Sequence, residues 1–519
     1  MKQTSFVFFL LILLGCARPV EQSENRVVKI IILHTNDIHG RAWPFKRLDG
    51  KRVGGYAAQA HLVSKIRKEA EKERAAFLLL SSGDVNTGVP ESDFSEARPD
   101  FEAMKAISYD AMVVGNHDFD RGYELLNKQF SWAKFPFLGA NIRLRKTGKP
   151  LFPGHLKIEK KGIRFGIIGV TTDELPRLIL TGNSKKLIVD DSIQAAKREV
   201  SKVKDQGSDV LIALSHLGIS ATGLSLHRHI PNDDRKLAHS IPEIDLIIGG
   251  HSHTFLEEGL KEGKTLIAQA GYRGEFLGRV EMLWDLEGRR VLNSKAELIE
   301  VDPSQGEDPL VKSIVEPYRE RYEKELGEIV FETKKPILGQ RNQTNTLELP
   351  LGNLICDALR SETKTDIAFF NSGGLRSSLP EGPVKKRDVL EAFPFKNQVS
   401  TGSLKGSEVV ALLNDGLRGG DFSGGVLQVS GLSYEISHGK VVRVLVGGKP
   451  ISEKATYSFS TNSYVASSGD KLTTMKKAKS LRNQPQTVDE ALIRYSTSRG
   501  PLEAELENRI VLKDSDRTL

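Results

Sequence analysis

Seven side chains of metal-binding type stand out by where they fall: the pair Asp37-x-His39, Asp84, Asn116, His216 and the pair His251-x-His253. The chain has 12 histidines, and five of them (39, 117, 216, 251 and 253) follow apolar runs and lie among glycines, which let backbone and metal approach closely. An Asp-x-His or His-x-His pair on an extended loop can aim both side chains at one ion or at two neighbouring ions. Imidazole and carboxylate together suit zinc, manganese or iron better than calcium. Seven ligands exceed one tetrahedral site and suit two ions with one bridging carboxylate. Two ions ~3.5–4 Å apart can clamp the attacking and leaving oxygens of a phosphoryl displacement and make a hydroxide nucleophile of a shared water near neutral pH. A lone histidine after a strand is ordinarily structural, and a lone Gly-Asp ordinarily a turn. Here five such pieces recur in one chain. His34, His61, His155, His227, His229, His239 and His438 lack that context and read as surface or structural residues.

The elements that must position these residues are visible as apolar runs. Val27 to Leu33 is nearly continuous and β-branched, as in a strand buried on both faces. Ala76 to Leu80, Ala111 to Val114, Val210 to Leu214 and Ile244 to Ile248 repeat the pattern, with helical patterns at Ala57 to Lys72 and Asp191 to Lys204. Strands alternating with helices predict an α/β domain. In all five runs the polar residues follow the C-terminal end of the strand, where open α/β sheets bind ligands. After about residue 300 the texture changes. Pro309 to Leu326 predicts a connecting helix, and beyond it a helix near Gly352 to Glu362, a strand-turn unit at Asp366 to Arg376 and strands at Val441 to Val446 and Thr456 to Thr461 predict a mixed α+β domain.

The set Asn36-Asp37-Ile38-His39-Gly40, Gly83-Asp84, Gly115-Asn116-His117-Asp118, Ser215-His216 and Gly250-His251-Ser252-His253 resembles the calcineurin-like metallophosphoesterases. Within them it is most similar to the 5'-nucleotidase and UDP-sugar hydrolase family, over essentially the whole mature chain. The resemblance implies a layered α/β sandwich as the N-terminal metallophosphoesterase domain (27–305), a connecting helix or hinge (306–335) and a C-terminal α+β substrate-binding domain (336–519) that swings to close the site. It implies that Asp37, His39 and His253 hold one divalent ion, that Asn116, His216 and His251 hold the other, and that Asp84 bridges them. His117 and Asp120 match the family's catalytic dyad.

In the second half, Asn371-Ser372-Gly373-Gly374-Leu375-Arg376 resembles the family's Asn-Gly-Gly-Gly-Ile-Arg turn, whose arginine reads phosphate. Arg341 matches a second phosphate-binding arginine, while Asn345 stands where some relatives carry a basic residue. Phe395 and Tyr464 match the two walls of an aromatic clamp for a nucleobase. Asp470 matches a carboxylate that accepts ribose hydroxyls, and Asn371 and Asn397 match positions near base or ribose. The loop Ser467-Ser468-Gly469-Asp470-Lys471 departs from the family's Gly-Gly-Asp-Gly-Tyr.

Lys2, an apolar run from Phe6 to Leu14 and the tetrad Leu13-Leu14-Gly15-Cys16 form an export signal (1–15) that resembles a bacterial lipobox, with Cys16 as the lipid-bearing residue and 16–26 as a tether. The run is too short to span a bilayer core of ~30 Å. Cys356 is the other of two cysteines, so a mature chain with a lipidated Cys16 has no disulfide. The formal charge is +7, but Lys and Arg sit beside Asp and Glu with no basic stripe among aromatics, which argues against a nucleic-acid polymer as partner. The expected activity is hydrolysis of nucleotides to nucleoside and orthophosphate by a two-metal enzyme in the cell envelope. The alternatives are 2',3'-cyclic nucleotides, UDP-sugars or a thiosulfate-type ester on the same scaffold, and a non-catalytic binding lipoprotein.

Overall fold

The structure, a computed structural model, describes residues 26–47, 49–220, 232–340, 346–417 and 426–513. Two six-stranded sheets form the first half. One is built from β1 (Val27–Thr35), β2 (Ala76–Ser81), β3 (Ala111–Val113) and β4 (Phe137–Leu138). The other is built from β5 (His155–Lys160), β6 (Ile163–Thr171), β7 (Val210–His216), β8 (Leu246–Ile248), β9 (Leu260–Glu262) and β10 (Thr265–Ala268). The hairpin β11 (Phe276–Asp285) and β12 (Arg290–Glu300) returns to the first sheet, giving the orders β12-β11-β1-β2-β3-β4 and β9-β10-β8-β7-β6-β5. β1 to β4 run parallel, as do β6, β7, β8 and β10; antiparallel β5 and β9 lie at the two edges of the second sheet, and the antiparallel hairpin β11–β12 forms one side of the first.

The β-branched runs follow from what each strand must cover. Ile30, Ile32, Leu78 and Leu80 point between the sheets against Phe165, Ile167, Ile212, Leu214 and Ile248. Their neighbours Ile31, Leu33 and Leu79 point outward under α1 (Tyr56–Lys72), and Leu211, Ala213 and Ile247 lie under α2 (Ser192–Asp205). With no face left to water, alternation disappears and the strands read as unbroken apolar runs. Each fully buried Leu or Ile contributes about 1.5–3 kcal/mol through area removed from water. His34 fits this core reading. It is buried in β1 opposite Gly278, its ring fills the space a Cβ there would need, and burial lowers its imidazole to about 4, so it is neutral.

α3 (Pro309–Leu326) buries Val311 and Val315 in the first core, and the chain enters the second core at Phe331, on the strand that follows. There a five-stranded mixed sheet carries β13 (Ile367–Asn371) and β14 (Thr456–Asn462) side by side, with α4 (Pro350–Thr363) packed on it and Cys356 buried. Among the described residues no helix is long and apolar enough to cross a membrane.

Candidate active site

The C-terminal ends of β1, β2, β3, β7 and β8 open on one side of the sandwich, so loops from both sheets meet there. They are stitched together. Ser82 Oγ donates to the Ile248 carbonyl (2.6 Å), and His216 Nδ1 lies 2.5 Å from the Ser82 carbonyl. The result is two clusters, Asp37–His39–His253 and Asp84–His216–His251, in each of which the ligand atoms lie within 4.8 Å of one another. His39 Nε2 and His253 Nε2 are 3.1 Å apart, and His216 Nε2 is 3.1 Å from Asp84 Oδ2.

The donor set fits divalent cations. Nδ1 of His39 faces the Thr87 carbonyl (2.9 Å) and Nδ1 of His216 faces that of Ser82, which fixes the tautomers and leaves both Nε2 lone pairs for a metal. Asn116 Oδ1 is buried without a hydrogen-bond partner among the described residues, a costly state that a cation relieves. Burial, with His253 and His117 close by, holds the His39 imidazole well below its ordinary value. Burial opposes a charge on His216 too, but Asp84 and Asp37 outweigh it and lift that ring to about 10. A pocket negative enough to draw a proton onto a buried imidazole also draws a metal ion.

Five of the seven expected ligands sit at positive φ: Asp37 (52°), His39 (53°), Asp84 (53°), His251 (71°) and His253 (55°). Such conformations cost about 1 kcal/mol or more each for residues with a Cβ and persist where the surroundings impose them. Glycines make room around them. A Cβ on Gly115 would collide with the Asp84 carboxylate, and one on Gly88 would lie 2.5 Å from the His39 carbonyl. Asp118 holds two of the loops together. Its carboxylate accepts backbone N–H groups from Gly115 and Asp84 on one oxygen and from Val85 and Asn86 on the other, at 2.8–3.2 Å.

His117 stands beside the clusters with Nδ1 2.8 Å from Asp120 Oδ2, and its backbone N–H donates to Asp84 Oδ1 (2.8 Å). Burial opposes its charge, but Asp120 and Asp84 prevail and raise its pKa. The second half docks over this centre. The Phe395 ring stacks on His117, and Arg376 lies over Phe395 at 5.9 Å. Burial draws the Arg376 guanidinium down against the pull of Asp84, Asp120 and Asp37. The Tyr464 hydroxyl is 3.1 Å from both Asp470 Oδ1 and the Arg177 carbonyl of the first half. Asn371 is buried, donating to Asp470 Oδ2 (2.8 Å) and accepting from Asn462 (2.9 Å), while Asn397 Oδ1 accepts from Ser463 (3.1 Å). The amide of Asn371 is thereby occupied in holding Asp470. Ion pairs Arg41–Glu391 (2.8 Å), Arg387–Glu91 (2.7 Å) and Lys471–Glu174 (3.0 Å) cross between the halves.

The sequence matches the calcineurin-like phosphoesterase family over residues 30–255 and the 5'-nucleotidase C-terminal domain over residues 329–477. It is 34% identical over 500 residues to the 5'-nucleotidase of Vibrio cholerae serotype O1, spanning 88% of this chain and 88% of that protein. This chain belongs to the 5'-nucleotidase family. Another 5'-nucleotidase, a precursor from Thermus thermophilus, has the same fold in its crystal structure, with a TM-score of 0.84 at 29% identity over 94% of this chain and 99% of that one. The sulfate thiohydrolase SoxB from Thermus thermophilus shares the fold at a TM-score of 0.78 and 20% identity, over 93% of this chain and 97% of that one. As a member of the 5'-nucleotidase family the chain is a hydrolase with a layered α/β metallophosphoesterase domain and a C-terminal α+β domain. The family works with two divalent ions, and the two clusters match that number.

Of the expected site residues, Arg341 and Cys16 lie outside the described residues, as do His227, His229 and Asn345. The remaining fifteen site residues gather on this face or on the second-half loops docked against it. Three residues that matter to the geometry were given no role by the sequence. Asp118 was in plain view within Gly115-Asn116-His117-Asp118, whereas Tyr272 and Arg273 sit on a loop with no motif of their own.

Proposed function

We propose that this chain hydrolyses nucleoside 5'-phosphates to nucleoside and orthophosphate. The observation that carries the reading is the docking of Phe395 and Arg376 directly over two histidine–carboxylate clusters. Asp37, His39 and His253 would hold one divalent ion, Asn116, His216 and His251 the other, with Asp84 between them. When bound, such ions polarise phosphoryl oxygens and bring the pKa of a water down towards neutrality. Arg376 reaches the phosphate from above, where its fork neutralises charge that grows in the transition state. Asp120 fixes the His117 ring through Nδ1, leaving Nε2 to donate to the phosphoryl or leaving oxygen. Phe395 and Tyr464 would sandwich the base, and Asp470, braced by Asn371, would accept the ribose hydroxyls. Asn397 is placed by Ser463 near the same loop, and Arg341 would add a second phosphate contact.

The organisation proposed with this activity is a signal at 1–15, a tether at 16–26, a catalytic domain at 27–305, a connecting helix at 306–335 and a substrate domain at 336–519. Export is supported by Lys2 and the Phe6–Leu14 run, and anchoring through a lipid on Cys16 by the tetrad Leu13-Leu14-Gly15-Cys16. The enzymatic test is phosphate release from AMP and other nucleoside monophosphates by purified protein with Mn²⁺ or Zn²⁺. Release that chelation abolishes is the expected result. Silence on every nucleotide with each metal rejects the reading.

A further inference from the structure

One dipeptide touches the Asp37–His39–His253 cluster and the opposite half of the molecule. The Tyr272 ring lies flat against the His253 ring, 4.9 Å between centroids and 3° from parallel. The neighbouring Arg273 places its guanidinium 5.0 Å from the Tyr272 ring centroid, donates its backbone N–H to the Asp37 carbonyl (2.7 Å), and donates from Nη2 to the Arg376 carbonyl of the second half (2.8 Å). Arg273 is held at φ 59°, a left-handed conformation that its contacts must maintain. Burial and the nearby Arg41 lower its guanidinium to about 10, still protonated at neutral pH. An arginine here is costly, and a long cationic side chain that lies on a ring while donating from its end is what these contacts require.

We propose that Arg273 is a positioning residue that couples docking of the Arg376 turn to the orientation of His253, with Tyr272 carrying the contact from one to the other. With the Arg376 carbonyl in place, the guanidinium is pinned across Tyr272 and the tyrosine is held on the imidazole. Without that carbonyl the guanidinium loses its fixed acceptor, and the ring of His253 is supported on one side only. A substrate that grips the second half through its base therefore sharpens the metal centre, and a small phosphoester without a base does not. The kinetic part rests on the nucleotide reading above; the metal-binding part does not.

The test uses the full chain with Arg273→Met, which keeps the stem and removes charge and donor, and Arg273→Lys, which restores both. Melting temperatures and circular dichroism establish that each variant folds. Arg273→Met is expected to lower kcat/KM for AMP by about 10–100-fold, the range for residues that orient a metal ligand, through kcat more than KM. Hydrolysis of p-nitrophenyl phosphate is expected to change less than about 3-fold, and Arg273→Lys to recover most of the AMP activity. Independently of substrate, Mn²⁺ titration of the chelated protein should show one of two sites weakened by about 10-fold in Arg273→Met and restored in Arg273→Lys. Equal losses on both phosphoesters overturn the proposal, as does unchanged Mn²⁺ affinity. If the parent ignores AMP, the nucleotide reading fails while the Mn²⁺ titration still decides the role of Arg273.

Discussion

The ring of Phe395 lies on that of His117, 6.0 Å between centroids and tilted by 26°. A residue of the second half thus touches the expected proton-handling residue of the first, so a base held against Phe395 is brought to the dyad's doorstep. Stacking on such a face is worth about 1–3 kcal/mol per base. Phe395→Ala is therefore expected to raise KM for AMP about 10-fold and to leave p-nitrophenyl phosphate nearly untouched, a comparison that steady-state kinetics makes directly.

Asp84 belongs to one metal cluster and also receives the His117 N–H. Asp84→Asn keeps the shape but gives up the charge that lets a carboxylate bridge two ions. Metal content after dialysis should fall below two per chain by elemental analysis, and kcat should fall at least about 100-fold, in line with losing a major source of transition-state stabilisation.

Gly115 is pressed against Asp84 so closely that no β-carbon fits. Gly115→Ala must push Asp84 away or shift the loop. Overpacking of this kind costs about 1–3 kcal/mol, which denaturant melts of the chelated protein would show. Metal affinity is expected to fall as well, since the displaced group is the carboxylate proposed to lie between the two ions.

Far from the site, Glu281 on β11 meets Lys29 of β1 and Lys295 of β12, along with Arg279. Burial pushes its carboxyl up, but Lys295, Lys29 and Arg279 outweigh that and hold it at about 2, below the ordinary glutamate range. A carboxyl depressed on folding contributes stability that is fully present above the unfolded value and lost as pH falls towards the folded one. Glu281→Gln should thus lower the urea midpoint of chelated protein at pH 7, and the gap to the parent should narrow by about half at about pH 3.

Much of this architecture was readable because burial on two faces leaves a plain mark. Apart from Lys29 near the start of β1, the strands β1, β2, β7 and β8 are apolar until their last residues, and their polar residues begin where the strand ends. The helix Pro309–Leu326 was equally plain from its spacing. The hairpin of β11 and β12 was not, because its outer face is wet and carries Arg279, Glu281, Lys295 and Glu297 among the apolar positions. The six side chains of the two clusters could be singled out, but not the left-handed backbone at five of them, since Asp and His do not announce that conformation as glycine does. Nor could the pairing of Asn371 with Asp470, 99 residues apart, or the stack of Tyr272 on His253 be foreseen, because both depend on loops meeting across the sandwich or within the second sheet.

The candidate centre draws on strand ends from two sheets, with its first cluster residue at 37 and its last at 253. A polypeptide emerging from synthesis or from a translocation channel consequently has no partial activity to release early. The full set of cluster residues is together only once the second sheet is packed on the first, and a fragment that ends between residues 37 and 253 carries part of the set alone.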